Sequence, residues 1–332
     1  MKTAIVILNW NGATLLERFL PSVVKHSASA QIYVADNGST DHSKETVAKL
    51  FPAVKWIQLD KNYGFVGYNK ALENLDEDLF CLLNSDIEVT EGWLEPIELL
   101  FERQEEIAIA QPKILDYKDK IRFEYAGAAG GYLDFFGYPY CRGRVFQHLE
   151  EDKGQYDDSR QVFWATGACM FVRSSVFKSL GGFDSSYFAH QEEIDLCWRA
   201  NNQGYQVYYI GSSQVYHLGG STLSNMNPKK TFLNFRNSLF NILKNLPLFQ
   251  ALAIVLSRLI LDGLAGIVFL FQGKARHTLA IIKAHFSFYF HAKSIYKKRI
   301  KHKSNQPYYR HFSIVYSYFV LGKENFSDLT KL

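Results

Sequence analysis

Five apolar residues in a row, Leu79-Phe80-Cys81-Leu82-Leu83, run directly into Asn84-Ser85-Asp86. A strand with one wet face alternates polar and apolar side chains, and this run does not. It reads as a strand covered on both faces, which requires helices above and below a sheet. The first hundred residues supply that arrangement by alternating the two element types. Strands are expected at Thr3–Leu8, Gln31–Ala35, Val54–Leu59 and Leu79–Leu83, and helices at Thr14–Lys25, Asp41–Leu50, Gly67–Leu75 and Glu91–Arg103. Alternation at this spacing predicts an α/β fold with a mostly parallel sheet and right-handed crossovers. Ligands of such sheets bind beyond the carboxyl ends of the strands, where Asp86 sits.

Residues 117–160 break the pattern with glycines and aromatics and predict an irregular or hairpin-rich insertion. Order returns at Val162–Val172, in a helix from Gln191 to Asn202, and in a strand from Gln206 to Ile210 leading to His217. Beyond Asn227-Pro228 the chain reads as helical. The expected division is a catalytic domain over 1–225 and a helical, basic region over 226–332. Charge marks the same division: between 263 and 323 there are eleven Lys or Arg and no Asp or Glu, whereas residues 1–262 hold 31 acids against 25 bases. A basic, aromatic tail suits an anionic membrane surface. Nucleic acid is not expected as a partner, because no recognised binding module accompanies the charge. Cys81, Cys141, Cys169 and Cys197 form no CxxC pair or zinc spacing and read as reduced packing residues. With no secretory segment recognised at the start, the expected location is cytoplasmic.

The chemistry-bearing clusters fall at element ends. Asp36-Asn37-Gly38-Ser39-Thr40-Asp41 joins a strand to a helix; its carboxylate can bind a ribose hydroxyl or base N–H, though an ordinary capped turn uses the same residues. Asn9-Trp10-Asn11-Gly12 closes the first strand without the GxGxxG of dinucleotide enzymes. Asn62-Tyr63-Gly64-Phe65 offers a glycine loop over a ligand, with Asn69 on the following helix, or a plain turn. Gln191-Glu192-Glu193-Ile194-Asp195 places three acids at a helix start, either to complement the helix dipole or to hold a general base. Asp195 and Arg199, four residues apart, are expected to form a supporting ion pair. His217 precedes a glycine-containing segment and suits a metal or phosphate contact as well as a satisfied structural histidine.

Taken in order, these segments resemble the family-two inverting glycosyltransferases of the GT-A fold, with the rhamnosyltransferase-like branch the most similar. The match runs from Ile5-Val6-Ile7-Leu8-Asn9 through Asp36, Asn62, Asp86, Glu192-Glu193 and His217, over about residues 1–225. The resemblance implies a Rossmann-like sheet flanked by helices, with a helical C-terminal appendage. It implies nucleotide contacts from Asn9, Asn11, Asp36, Asn37, Asn62, Gly64, Asn69, Asn84 and Ser85. Asp86 would be the surviving acid of a DxD-type motif holding Mg or Mn, with His217 a second contact. Glu193, or its neighbour Glu192, would be the base. Two departures stand out: Asn84 replaces the first acid of the motif, and Glu193 replaces the more usual Asp. Trp164 and Gly167 are candidates for sugar and acceptor contact, with core packing an equal reading for Trp164.

The implied reaction moves a sugar from a nucleoside-diphosphate sugar to a hydroxyl of a glycan or polyprenyl-linked acceptor, in cell-surface polysaccharide synthesis. Two rivals are an inactive sugar-nucleotide-binding scaffold and a sugar nucleotidyltransferase. The second would want a Gly-rich, basic loop where this chain has Asn9-Trp10-Asn11-Gly12. Leu248–Phe271 is long and apolar but is interrupted by Gln250, Arg258 and Asp262. It is expected to lie in the membrane interface or against the catalytic domain, with the enzyme peripheral to the inner face of the cell membrane.

Overall fold

The computed structural model describes residues 1–219, 227–300, 303–304 and 306–330. Six strands come first: β1 (Thr3–Asn9), β2 (Gln31–Asp36), β3 (Lys55–Gln58), β4 (Leu79–Asn84), β5 (Ile87–Val89) and β6 (Ile107–Asp116). Then β7 (Gly131–Leu133), β8 (Pro139–Cys141), β9 (Arg144–Val145) and β10 (His148–Leu149) form a small separate antiparallel sheet within the expected insertion. Finally β11 (Ser159–Val162), β12 (Cys169–Arg173) and β13 (Gln206–His217) rejoin the main sheet. Its order is β11-β13-β6-β12-β4-β1-β2-β3, with β5 pairing β13. The pairs β4-β1, β1-β2, β2-β3 and β6-β13 are parallel, while β12 runs antiparallel between β4 and β6.

The apolar run behaves as its composition requires. Leu79, Cys81 and Leu83 enter one core cluster and Phe80 and Leu82 the other, just as Ile5 and Ile7 separate from Ala4 and Val6. Each strand therefore supplies both layers with alternate side chains. Each fully buried apolar side chain contributes on the order of 2 kcal/mol. Helices α1 (Ala13–His26), α2 (Ser43–Leu50), α3 (Gly67–Ala71), α4 (Glu95–Arg103), α5 (Ser174–Ser179) and α6 (Glu192–Asn202) connect the strands. In α1, Leu16, Phe19, Leu20 and Val23 recur at helical spacing and are the buried stripe.

Three expectations shift. The helix expected over Gly67–Leu75 stops at Ala71. Val162–Val172 is two strands separated by a six-residue break. The ten-residue β6, buried along nearly its whole length, lay in a stretch the sequence analysis left unassigned. The expected boundary at 225/226 and the segment Ser221-Thr222 lie outside the described residues.

The C-terminal helices are α7 (Pro228–Asn245), α8 (Leu248–Phe271), α9 (Ala275–Lys297), α10 (Ile314–Phe319) and α11 (Phe326–Thr330). Asn227 caps α7 by accepting from the Lys229 N–H at 2.9 Å. α7 is joined to the sheet domain by buried polar side chains, Asn237, Asn241, Lys244 and Asn245. α8 is one unbroken helix whose buried positions, Ala251, Ile254, Val255, Arg258, Asp262 and Gly266, form a single inward stripe. Its two charges are inside that stripe: Arg258 donates to Asp262 at 3.0 Å, and Tyr138 and His285 contact the same carboxylate at 2.7 and 3.0 Å. The outward face of α8 and α9 is apolar and open, with Phe249, Phe271 and Phe290 each more than 80% exposed.

Candidate active site

Register brings the first three loops together. Asn9 lies opposite Asp36 in the β1-β2 pair and Leu8 opposite Asn84 in β1-β4, so three polar strand ends form one edge. Asp36 is buried and its carboxylate accepts from Asn9 Nδ2 at 3.1 Å, the Ser39 N–H at 3.0 Å and Gln58 Nε2 at 2.8 Å. Asn11 accepts from the Thr40 N–H at 2.8 Å and gives its own N–H to Ser39 Oγ at 2.8 Å. Asn37 accepts from the Tyr63 N–H and donates to Asn62 Oδ1 and to the Gly64 carbonyl. These contacts fix the loops against each other and give a rigid rim.

Gly12 explains one gap in that rim. A Cβ there would sit 2.4 Å from Asn9 Oδ1 and 3.7 Å from Ser85 Oγ, and Asn9 Oδ1 is itself buried without a hydrogen-bond partner. At Gly64, with φ +65°, a Cβ would meet the Phe188 carbonyl at 2.4 Å. That close approach lets the Phe65 N–H donate to the same carbonyl at 3.0 Å, joining this loop to the segment before α6.

Asp86 follows β4, and the long β13 carries His217 to it. His217 Nε2 stands 3.2 Å from Asp86 Oδ1, and Nδ1 stands 3.2 Å from Glu124 Oε2. Burial alone would lower this imidazole. The Glu124 charge and hydrogen bonding to Asp86 outweigh it and hold the proton well above the ordinary histidine range. Glu124 was absent from the sequence analysis. It lies in the glycine-rich insertion, with no motif around it, and only the fold carries it to His217.

The other side of the site is the start of α6. Phe188, His190 and Gln191 all have positive φ, a conformation that costs non-glycine residues about 1 kcal/mol or more each. α7 holds the segment in place: Asn237 Nδ2 reaches the carbonyls of Tyr187, Ala189 and His190 at 3.2, 3.0 and 2.7 Å, and Asn241 reaches that of Gln191 at 3.3 Å. Asp195, fully buried, accepts from Arg199 at 2.8 Å, the expected pair, and also from Lys244 and Asn245. The segment's strain is thus balanced by contacts from the C-terminal region.

Glu192 and Glu193 open α6, each with one buried carboxyl oxygen lacking a partner. Burial pushes Glu193 up to about 7. Burial, and then the Glu193 charge beside it, hold Glu192 well above the ordinary carboxylate range. The Cys141 thiol is raised by burial and accepts from Arg144 Nη2 at 3.3 Å.

Two expected ligand contacts have other work. Both ends of the Asn69 amide are used on Phe183, accepting from its N–H at 2.8 Å and donating to its carbonyl at 2.7 Å. Asn69 therefore latches two loops instead of facing a nucleotide. Trp164 is buried, donates its ring N–H to the Tyr132 carbonyl at 3.0 Å and packs on Gly131, so it is core and has no face for a sugar. Gly167 packs on the Phe65 ring, where a Cβ would come within 2.6 Å.

Among the described residues no three His, Cys, Asp or Glu side chains make a self-sufficient metal cage. Asp86 offers one carboxylate, and His217 offers an imidazole nitrogen once a bound cation displaces the proton held between it and Asp86. That donor set fits a divalent cation completing its shell with water and substrate phosphate.

Comparison with known proteins bears on the fold and the family. A 25% identity over 233 residues, covering 64% of this chain and 75% of the relative, links it to the N-acetylglucosaminyl-diphospho-decaprenol L-rhamnosyltransferase of Mycobacterium tuberculosis. A short stretch of 56 residues, 17% of this chain and 21% of the relative, is 39% identical to the rhamnosyltransferase WbbL of Escherichia coli. Among solved structures, GalNAc-T7 with UDP, GalNAc and Mn2+ superposes with a TM-score of 0.59 at 18% identity, over 73% of this chain and 47% of that one. S. aureus TarS 1–349 with UDP-GlcNAc gives 0.57 at 13% identity, over 94% of this chain and all of that one. The architecture is that of the GT-A glycosyltransferases, with helices added at the C-terminus. The model of Glycosyl transferase family 2 matches residues 4–181, more than half of the sequence and including β1, β2, β4 and Asp86, and the chain belongs to that family.

Proposed function

We propose that this glycosyltransferase moves a sugar from a nucleoside-diphosphate sugar to a hydroxyl of a glycan or polyprenyl-linked acceptor, inverting the anomeric centre, with Glu193 as the base. One observation carries the reading. Buried polar atoms in a folded protein nearly all find partners. Here Asn9 Oδ1 at the end of β1 and His190 Nε2, Glu192 Oε2 and Glu193 Oε2 around the start of α6 have no hydrogen bond, a condition shared elsewhere by Arg142, Arg144, Asn245 and His285. A site whose hydrogen bonds are completed by substrate leaves such a pattern.

In the proposed step the acceptor oxygen attacks the anomeric carbon as the bond from that carbon to the diphosphate oxygen breaks. The electron pair leaves with the nucleoside diphosphate, and the acceptor proton passes to a Glu193 carboxyl oxygen. Burial lifts Glu193 to about 7, within reach of ionisation near neutral pH, and this reading takes it as the base. Asn9, Asp36, Asn11, Asn37, Asn62, Asn84 and Ser85 form the nucleotide rim. A divalent cation, Mg or Mn, held through Asp86 and His217 would supply neutralisation of the diphosphate charge.

A lipid-borne acceptor also fits the outer face of α8 and α9. The exposed Phe249, Leu256, Ile260, Phe271, Phe286 and Phe290 accompany a stretch with no acidic residue, a combination suited to an anionic bilayer surface. Because Arg258 and Asp262 turn inward onto protein, this reading has α8 lying in the interface of the cytoplasmic leaflet and not crossing it.

The decisive assay supplies a panel of nucleotide sugars with Mg2+ or Mn2+ and a polyprenyl-diphosphate-linked sugar, and follows nucleoside diphosphate release and product anomer by NMR. An inverted product is expected; a retained anomer, or sugar nucleotide formation from a sugar phosphate, overturns the reading. For the membrane, sedimentation with phosphatidylglycerol vesicles should carry the protein down. The double variant Phe249→Ser, Phe271→Ser should weaken that binding about tenfold.

A further inference from the structure

Four arginines are buried, Arg142, Arg144, Arg199 and Arg258. Three have a carboxylate at ion-pair distance: Asp158 for Arg142, Asp195 for Arg199 and Asp262 for Arg258. Arg144 has none among the described residues. Its guanidinium gives Nη2 to the Cys141 sulfur at 3.3 Å and Nη1 to the Phe146 carbonyl at 3.4 Å, both weak contacts, and its Nε has no partner. The ring of Tyr125 lies under it at 4.7 Å, and Lys230 from the first turn of α7 approaches the same ring at 5.6 Å. A buried guanidinium with no carboxylate at ion-pair distance, and with Glu124 acting on it only from farther away, is incompletely compensated and has room for an anion that arrives from outside.

Position says which anion. Arg144 stacks on Tyr125, next in sequence to Glu124, whose carboxylate stands 3.2 Å from His217. It therefore borders the Asp86–His217 side of the site. A free Nε–H beside an Nη–H is the fork that matches two oxygens of one phosphate.

We propose that Arg144, supported by Tyr125 and flanked by Lys230, is a binding residue for a phosphate group of a substrate diphosphate. The inference rests on the glycosyl-transfer reading and narrows it. Two substrates carry that chemistry, the departing nucleoside diphosphate and a diphosphate-linked lipid acceptor. Arg144 takes a phosphate of one of them.

The test is calorimetric titration of the full chain with UDP plus Mn2+, and separately with farnesyl diphosphate in mild detergent, using farnesol as the phosphate-free control. Arg144→Gln should weaken one diphosphate by about tenfold to a hundredfold, as expected for loss of a charge-assisted pair, and leave the other nearly unchanged. Loss confined to UDP assigns the donor; loss confined to farnesyl diphosphate, with farnesol unaffected, assigns the acceptor. Arg144→Lys keeps the charge without the fork and should fall between wild type and Arg144→Gln, and both variants are checked for native circular dichroism and melting. If Arg144→Gln misfolds, Arg144→Lys alone decides, through an affinity loss or its absence. Wild-type binding that the folded variants leave within about twofold overturns this inference alone. A wild-type protein that binds neither probe and releases no nucleotide overturns the glycosyl-transfer reading with it.

Discussion

The two sides of the site are built on opposite principles. On the β1-β2 side, Asp36, Asn11, Asn37, Asn62 and Ser39 complete one another's hydrogen bonds, leaving mainly Asn9 Oδ1 unmatched. On the α6 side, Glu192, Glu193 and His190 are buried or partly buried and each keeps an unmatched polar atom, in and beside a segment with three positive-φ residues. The first side spends its polar groups on rigidity and the second keeps them in reserve. Substitutions should therefore unfold the first side and disarm the second.

The largest effect tests the reserved side. Glu193→Gln should reduce turnover by about a hundredfold to ten-thousandfold, the usual contribution of a general base. It should leave the melting temperature equal or higher, because a neutral amide replaces a buried acid. Nucleotide-sugar affinity, read by calorimetry, should hold. Glu192→Gln should cost far less; the reverse ranking would move the base to Glu192.

The next effect tests the rigid side. Asp36→Ala strands three donors, from Asn9, Ser39 and Gln58, and should lower unfolding free energy by about 2–4 kcal/mol in urea titrations. Activity should fall through weaker nucleotide binding, as a higher KM. A variant with native stability would show that Asp36 is not the structural hub its contacts describe.

How far the sequence alone carried the argument follows the same contrast. The parallel half-sheet was legible because β1 and β4 are short, apolar and bounded by polar loops, a local signal. Asp36, Asp86, Glu193 and His217 stood at element ends where chemistry is expected, and the Asp195–Arg199 pair followed from helical spacing alone. Glu124 and Arg144 did not, because the insertion carrying them has no periodicity and reaches the site only through its small sheet. Trp164, for which core packing was one of two equal readings, and Asn69 show a related limit. An aromatic or an amide beside a glycine loop looks the same in sequence whether it faces a ligand or, as here, the Tyr132 and Phe183 backbone. Asn237 was invisible for a third reason: its partners are backbone carbonyls, which no sequence pattern records.

The smallest effect is a pH dependence on which the two sides disagree. Burial raises Glu193 from 4.5 to about 7 in the folded chain. Below the unfolded value both states hold the proton and burial costs nothing. Between about 4.5 and 7 the unfolded chain ionises while the folded one keeps its proton, so stability declines as pH rises through that window and levels off above it. Glu192, raised as well by burial and by the Glu193 charge beside it, adds a decline of the same sign. Turnover should move the other way, rising as Glu193 loses its proton near 7. Paired profiles of melting temperature and kcat should therefore cross. In Glu193→Gln the stability decline between pH 5 and 7 should become shallower, while Asp36→Ala should shift the whole stability curve down and keep its slope. A Glu193→Gln curve parallel to wild type would mean that this carboxyl meets water in the folded protein, and the reserve attributed to the α6 side would lie elsewhere.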